Sequence, residues 1–376
     1  MQFGLTETQQ ILKNSARAFF PAECPMSEVR RLIDLPGAHD EALWSKIAVH
    51  GWTGIIFDEA HGGMGLGLVE MAVAAEEMGR ALLPGPFFST VFLAGALLEK
   101  SGLSALVAPL CEGRKRGTVA LLEESACWDP GAVQMQISGG RISGRKLLVP
   151  DAGVADFLLC VARCGRQLAI AHVPASGDGV TVRPMPSLDR TRPLYAVEFD
   201  RARVEVLCTG EQAQAALDRA IDTATVALVA EMAGGMQRIL EITVEYAKTR
   251  KQFGKPIGQF QAVQHQCADM LLLTESTRSA AYYAAWALNE DAPDAPTAVS
   301  VAKSYASDAY REVGNRGIQV HGGMGFTWEN DLHLYYRRAK ASEIAFGDAA
   351  FHRERIARAI IDGRRAQAVL GASINM

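Results

Sequence analysis

The chain has 376 residues, 49% of them hydrophobic, with a formal net charge of -4 and a pI near 6.1. That length suffices for two or three domains with sizeable cores. The nearly balanced charge excludes a strongly basic protein, so nucleic acid is not an expected partner.

Leu5 to Phe20 reads as an amphipathic helix, with Thr6 as N-cap and Gln9 three residues on completing a capping box. Asp40 to Val49 reads as a second helix carrying Trp44 and Ile47 on one side. Gly51 to Gly67 is glycine-rich and irregular. Helix resumes over Val69 to Leu82. The uncharged run Leu82 to Leu98 is broken by Pro84, Gly85 and Pro86, too short for the ~18 apolar residues of a membrane span. It reads as a turn followed by a buried helix.

After about residue 113 the composition turns to short strand candidates: Thr118–Leu122, Val133–Ile137, Lys146–Val149, Phe157–Val161, Leu168–Val173, Val180–Arg183 and Ala196–Phe199. Val133, Met135 and Ile137 alternate with Gln134 and Gln136, the period of a half-buried strand. Such strands at close spacing suggest a small barrel or sandwich.

From about Glu211 the pattern is helical again. Leu217, Ile221, Ala224, Leu228, Met232, Ile239 and Thr243 mark one face of a long helix. Its partner runs from about Phe260 to Asn289. Pro293 and Pro296 mark the next corner, and a third helix spans about Thr297 to Gly314 with Val299, Ala302, Ala306, Ala309 and Val313 on one face. Between the first two lies a turn in which Gly254, Pro256 and Gly258 break the periodicity. Lys248, Arg250, Lys251 and Lys255 crowd it. Composition allows two readings, a solvated basic corner or an anion site in which Arg250 grips a phosphate through two N–H groups, with Phe253 as an apolar surface beside it.

The seven cysteines include no Cys-x-x-Cys pair. Neither a zinc site nor a disulfide framework is expected, and free thiols suit a reducing cytosol. No basic-plus-apolar leader opens the sequence. The expectation is a cytoplasmic protein without a metal site.

Three stretches carry a resemblance. Tyr246-x-x-x-Arg250-x-Gln252-Phe253-Gly254-x-Pro256-Ile257, followed by Phe260-Gln261, resembles the C-terminal domain of the acyl-CoA dehydrogenase family. Gln319-Val320-His321-Gly322-Gly323-Met324-Gly325-Phe326 is similar to a second family motif. Gly51-Trp52-Thr53-Gly54-Ile55 leading to Gly62-Gly63-Met64-Gly65-Leu66-Gly67 is similar to a third. Their order and spacing match the family over nearly the whole chain. The resemblance implies an α+β multidomain protein: an N-terminal helical domain (1–113), a central β-barrel (114–207) and a C-terminal four-helix bundle (208–376). It implies FAD as cofactor and an acyl-CoA thioester as substrate, desaturated between Cα and Cβ. Cofactor contacts carried over from the motifs are Arg250, Phe253, Gln319, Gly322 and Gly323. Without the resemblance, Gly322-Gly323 would read as a tight turn ending a helix.

Two departures from the family pattern stand out. Where the flavin ring rests beside a Trp-x-Thr sequence, this chain has Leu148 and Pro150, and Pro150 has neither hydroxyl nor backbone N–H to donate. At the two family positions for the catalytic carboxylate stand Phe346 and Ala224, so no catalytic base is assigned. Asp348 and Asp222 lie nearby. Asp348 is better explained as the N-cap of a final helix, and Asp222 is expected to face solvent or its helix neighbours. The stretch Phe346 to Arg353 is similar to base-lacking small subunits of heteromeric bacterial acyl-CoA dehydrogenases. The leading expectation is therefore an oligomer with a related, base-bearing subunit. A self-sufficient homo-oligomeric enzyme and a non-catalytic structural subunit are the alternatives.

Overall fold

The computed structural model describes residues 4–101 and 104–374, with side chains through residue 362 in the last helix. The chain divides into two compact units, Met1–Ala227 and Leu228–Met376.

The first unit begins with helices α1 (Glu7–Glu23), α2 (Met26–Leu32), α3 (Glu41–Val49), α4 (Leu68–Ala81), α5 (Ala96–Ser101) and α6 (Val107–Cys111). Both halves of the Thr6–Gln9 capping box form, and Asp40 caps α3 by accepting from the Ala42 and Leu43 N–H groups. Gln9, Lys13 and Arg17 recur every fourth residue and so share one face of α1. That face docks on α4 through Gln9–Glu70, Lys13–Glu76 at 3.1 Å and Arg17–Glu77 at 2.7 Å. Glu76 and Glu77 are buried, so each needs its cation. The Gly51–Gly67 stretch folds on itself: Met64 and Gly65 donate to the carbonyls of Gly54 and Phe57. The run after Pro86 is a buried π-helical segment, Phe88–Gly95, that leads into α5. No described helix is long and apolar enough to cross a membrane.

Strands β1 (Gly117–Ala120), β2 (Ile137–Ser138), β3 (Arg141–Pro150), β4 (Phe157–Cys164), β5 (Gln167–Pro174), β6 (Val180–Met185), β7 (Leu194–Arg203) and β8 (Glu205–Thr209) follow. They pair as two four-stranded sheets, β1-β4-β5-β8 and β2-β3-β7-β6. Among the described residues no ladder closes the two into one ring. Leu158, Cys160 and Ala162 of β4 and Tyr195, Val197 and Phe199 of β7, each set at period two, meet in one apolar core.

The expected strand over Val133–Ile137 is corrected. Only Ile137–Ser138 joins a ladder, and Gln136 makes an isolated bridge to Arg163. Val133 and Met135 are buried as their alternation indicates. Their neighbourhood is nevertheless bonded otherwise: the Gln134 and Met135 N–H groups donate to the Glu123 carboxylate, and Arg163 takes the Val133 carbonyl.

Helix α7 (Gly210–Thr249) crosses from the first unit into the second. A hairpin of β9 (Lys251–Gln252) and β10 (Lys255–Pro256) comes next. Helices α8 (Gln261–Asn289), α9 (Ala295–His321), α10 (Leu332–Ile344) and α11 (Ala349–Ile374) complete the second unit. Helix α9 continues seven residues beyond the expected end at Gly314. Two glycines let helices α7 and α9 approach closely: a Cβ at Gly235 would stand 2.1 Å from the Tyr310 hydroxyl, and one at Gly317 would stand 2.8 Å from Ile239 Cγ2.

Candidate functional site

At the end of α7 the chain leaves the helix at Arg250, whose N–H still donates to Tyr246 O at 2.8 Å. Its carbonyl accepts from Ile257 at 2.8 Å, closing the hairpin's base. The two-residue turn has Phe253 at φ 53° and Gly254 at φ 78°, the left-handed pair that matches hairpin twist. Glycine adopts this freely, whereas a bulky residue is strained there. Phe253 is 91% exposed and meets Phe260 edge-to-face at 6.1 Å. Lys248 pairs with Glu245 at 2.7 Å, and Lys255 lies 4.4 Å over the Phe260 ring. The other two cations, Arg250 and Lys251, are exposed. Among the described residues neither has a side-chain partner.

The second motif lies at the end of α9. Tyr246 stacks on His321 with ring centroids 4.2 Å apart. His321 is buried, which lowers its pKa, and its Nδ1 lies 2.8 Å from the Gly317 carbonyl. Tyr246 precedes Arg250 by one helical turn, so this stack brings both motifs to the same end of the second unit. Gly322 has φ 61° and ψ -140°, a conformation open essentially to glycine. At Gly323 an added Cβ would meet nothing within 4 Å. Its missing side chain is therefore not demanded by packing within the chain. A pocket of about 280 Å³ opens here, lined by Asn315, Ile318, Gln319, Gly322, Phe326 and Tyr336. A free guanidinium, an exposed amide and a bare backbone suit a diphosphate-bearing ligand.

At the expected base positions the structure offers no proton acceptor. Phe346 is 6% exposed and Ala224 is fully buried. Phe346 (φ 58°) and Gly347 (φ 96°) form a left-handed turn between α10 and α11. Asp348 is exposed and caps α11: its Oδ1 accepts from the Phe351 N–H at 2.8 Å. Of the two surroundings expected for Asp222, solvent or helix neighbours, the structure excludes solvent. The residue is 5% exposed, because every residue from 222 to 236 is buried and this stretch of α7 has no solvated face.

Sequence reading missed Lys303 and His352. Lys303 is 0% exposed and donates to Ser307 Oγ at 2.9 Å, Glu343 O at 3.0 Å and Gly347 O at 2.8 Å. Burial pushes its pKa down to about 7, against the opposing pull of Asp348 and Glu343. His352, also buried, holds the Phe346 carbonyl at 3.0 Å through Nε2. Its burial, with Lys303 and Arg355 nearby, lowers its pKa to about 4. The signal for Lys303 was present: it follows Val299 by four residues and precedes Ala306 by three, on the apolar stripe itself.

In the first unit lies the stretch where the resemblance implied a flavin-ring platform. Lys146 is buried and donates to Leu121 O at 2.9 Å and Glu123 Oε1 at 2.8 Å. Burial opposes ionisation of Glu123, but bonds from Lys146, Met135 and Gln134 outweigh it and the pKa falls below the usual range. Leu148 sits in a β-bulge at φ 53°. Neither its side chain nor Pro150 carries a donor, and the Pro150 carbonyl accepts from Thr118 Oγ1 at 2.7 Å.

Comparison with known proteins identifies the family. Residues 6–105 match the model of the acyl-CoA dehydrogenase N-terminal domain and residues 213–361 that of the C-terminal domain. The chain belongs to the acyl-CoA dehydrogenase family, whose members are oxidoreductases acting on CH–CH bonds. Acyl-CoA dehydrogenase IpdE2 of Mycobacterium tuberculosis is 31% identical over 89% of this chain and 92% of its own length. The ChsE4-ChsE5 complex from Mycobacterium tuberculosis is similar in structure, with a TM-score of 0.87 and 30% identity over 96% of this chain and 99% of the other. PigA, solved with FAD and proline, has a TM-score of 0.88 and 25% identity over 96% and 99%.

Proposed function

We propose that this chain is a subunit of an FAD-dependent acyl-CoA dehydrogenase that works beside a base-bearing relative and completes that relative's cofactor site. One contrast carries the reading: the Arg250 guanidinium and the bare Gly322-Gly323 turn stand open, while Phe346 is buried where a carboxylate would be needed. Bound FAD would supply the acceptor for the hydride leaving Cβ of an acyl-CoA thioester. Arg250 grips the diphosphate, Gln319 and the backbone at Gly322 and Gly323 line its approach, and Phe253 covers an apolar edge. The α-proton goes to the partner's carboxylate, because Phe346 and Ala224 accept none. Similarity to the ChsE4-ChsE5 complex supports an assembly of unlike chains. Asp348 is engaged as a helix cap, which weighs against a self-sufficient enzyme.

In this reading the domains are 1–113, 114–207 and 208–376, the two sheets form the family's barrel, the C-terminal helices form its four-helix bundle, and the protein works in the cytoplasm. Purification alone and with a co-expressed relative tests the function. The chain alone is expected to be colourless and inactive toward acyl-CoA, and the assembled pair yellow and active. Turnover by the chain alone, with FAD bound, would overturn the proposal.

A further inference from the structure

The turn at 344–348 is held more firmly than a connection between two helices requires. Phe346 occupies a left-handed conformation, costly for a bulky residue, and such strain persists only where surrounding groups over-determine it. The surrounding groups are specific. Lys303, from α9, reaches the Glu343 and Gly347 carbonyls on either side of Phe346. His352, from α11, takes the carbonyl of Phe346 itself. Gly347 admits no side chain, since a Cβ there would stand 2.2 Å from the Phe351 ring. A buried lysine on an apolar stripe is expensive, and a helix junction could end its carbonyls in water instead.

We propose that Lys303 is a positioning residue that clamps the 343–347 turn and so fixes residue 346 at the place where relatives carry their base. This rests on the family reading of position 346 given above. The clamp keeps Phe346 buried and denies the turn the freedom to bring Asp348 inward. The groups facing Lys303 are Ser307 on α9, Glu343 on α10, and Asp348 and His352 around the turn. Glu343 is itself neutralised by Lys340 and Arg311. Opening the turn hydrates Lys303 and returns its pKa toward 10.5, so opening takes up a proton. Protection of the turn therefore rises with pH above about 7.

Hydrogen exchange on the full chain, without flavin or acyl-CoA, tests this, so its outcome is independent of colour and turnover. The readout is the amides of Ala345, Phe351 and His352, each hydrogen-bonded at the turn. In wild-type protein their protection, corrected for intrinsic exchange at each pH, is expected to climb from pH 7 upward. Lys303→Met should raise their exchange by about tenfold or more and flatten the pH profile, leaving the core of α9 protected. Should Lys303→Met not fold, Ser307→Ala decides. It removes one oxygen from the ammonium and should move the onset of the rise to lower pH. A flat wild-type profile, or a loss of protection in Lys303→Met shared equally by the whole chain, would overturn the proposal.

Discussion

Arg250→Ala separates cofactor binding from folding. The guanidinium is exposed and has no side-chain partner among the described residues, so truncation removes no hydrogen bond or ion pair among them. Thermal stability should change by no more than ~0.5 kcal/mol, the usual range for such surface sites. A charge-assisted bidentate bond to a diphosphate is worth roughly 1.5–3 kcal/mol, so FAD affinity should fall by about one to two decades. Arg250→Lys should lie between, because an ammonium keeps the charge and loses the planar fork. The assay is titration of FAD into the flavin-stripped assembly, followed by flavin fluorescence, with a melting curve on each variant. Unchanged affinity would remove Arg250 from the site. A fall in melting temperature matching the affinity loss would show instead that the residue supports the fold.

Gly323→Ala should leave stability within ~0.5 kcal/mol yet weaken FAD retention, since its Cβ meets nothing in this chain. Gly317→Ala should instead cost ~1–3 kcal/mol in chemical denaturation, because its Cβ meets Ile239 at 2.8 Å. Lys303 and His352 have folded-state pKa values of about 7 and about 4, below their ordinary 10.5 and 6.5. The unfolded chain therefore holds more protons across pH 7–10.5 and again across pH 4–6.5, and both groups make stability rise with pH in those windows. The His352 contribution, roughly 3 kcal/mol between pH 6.5 and 4, should be absent from His352→Asn and so appear as the pH-dependent difference between wild type and that variant in denaturant titrations. Asp348→Ala should cost about 1 kcal/mol through the lost cap, with turnover of the assembled pair unchanged; lost turnover in a folded variant would make Asp348 the base.

Local chemistry was legible in the sequence by itself. Thr6 and Asp348 cap the helices they were expected to cap, because a capping bond spans only three residues. The three motifs in order identified the family, and the helical, sheet and helical segments followed from periodicity. Partners distant in sequence were decided by the tertiary structure. Val133–Ile137 alternates like a strand, but Glu123 took its N–H groups. Strand β8 escaped notice because Glu205–Thr209 is only five residues long and pairs only at the edge of its sheet. Sequence left Asp222 facing either solvent or its helix neighbours, and burial of every residue from 222 to 236 removed the first. Lys303 stood on the stripe in plain view. What makes it a clamp is the pair of carbonyls that α10 and the 346–347 turn bring to it from forty residues away. Caps and turns depend on neighbours along the chain, whereas burial and the satisfaction of buried polar groups depend on whatever the fold delivers.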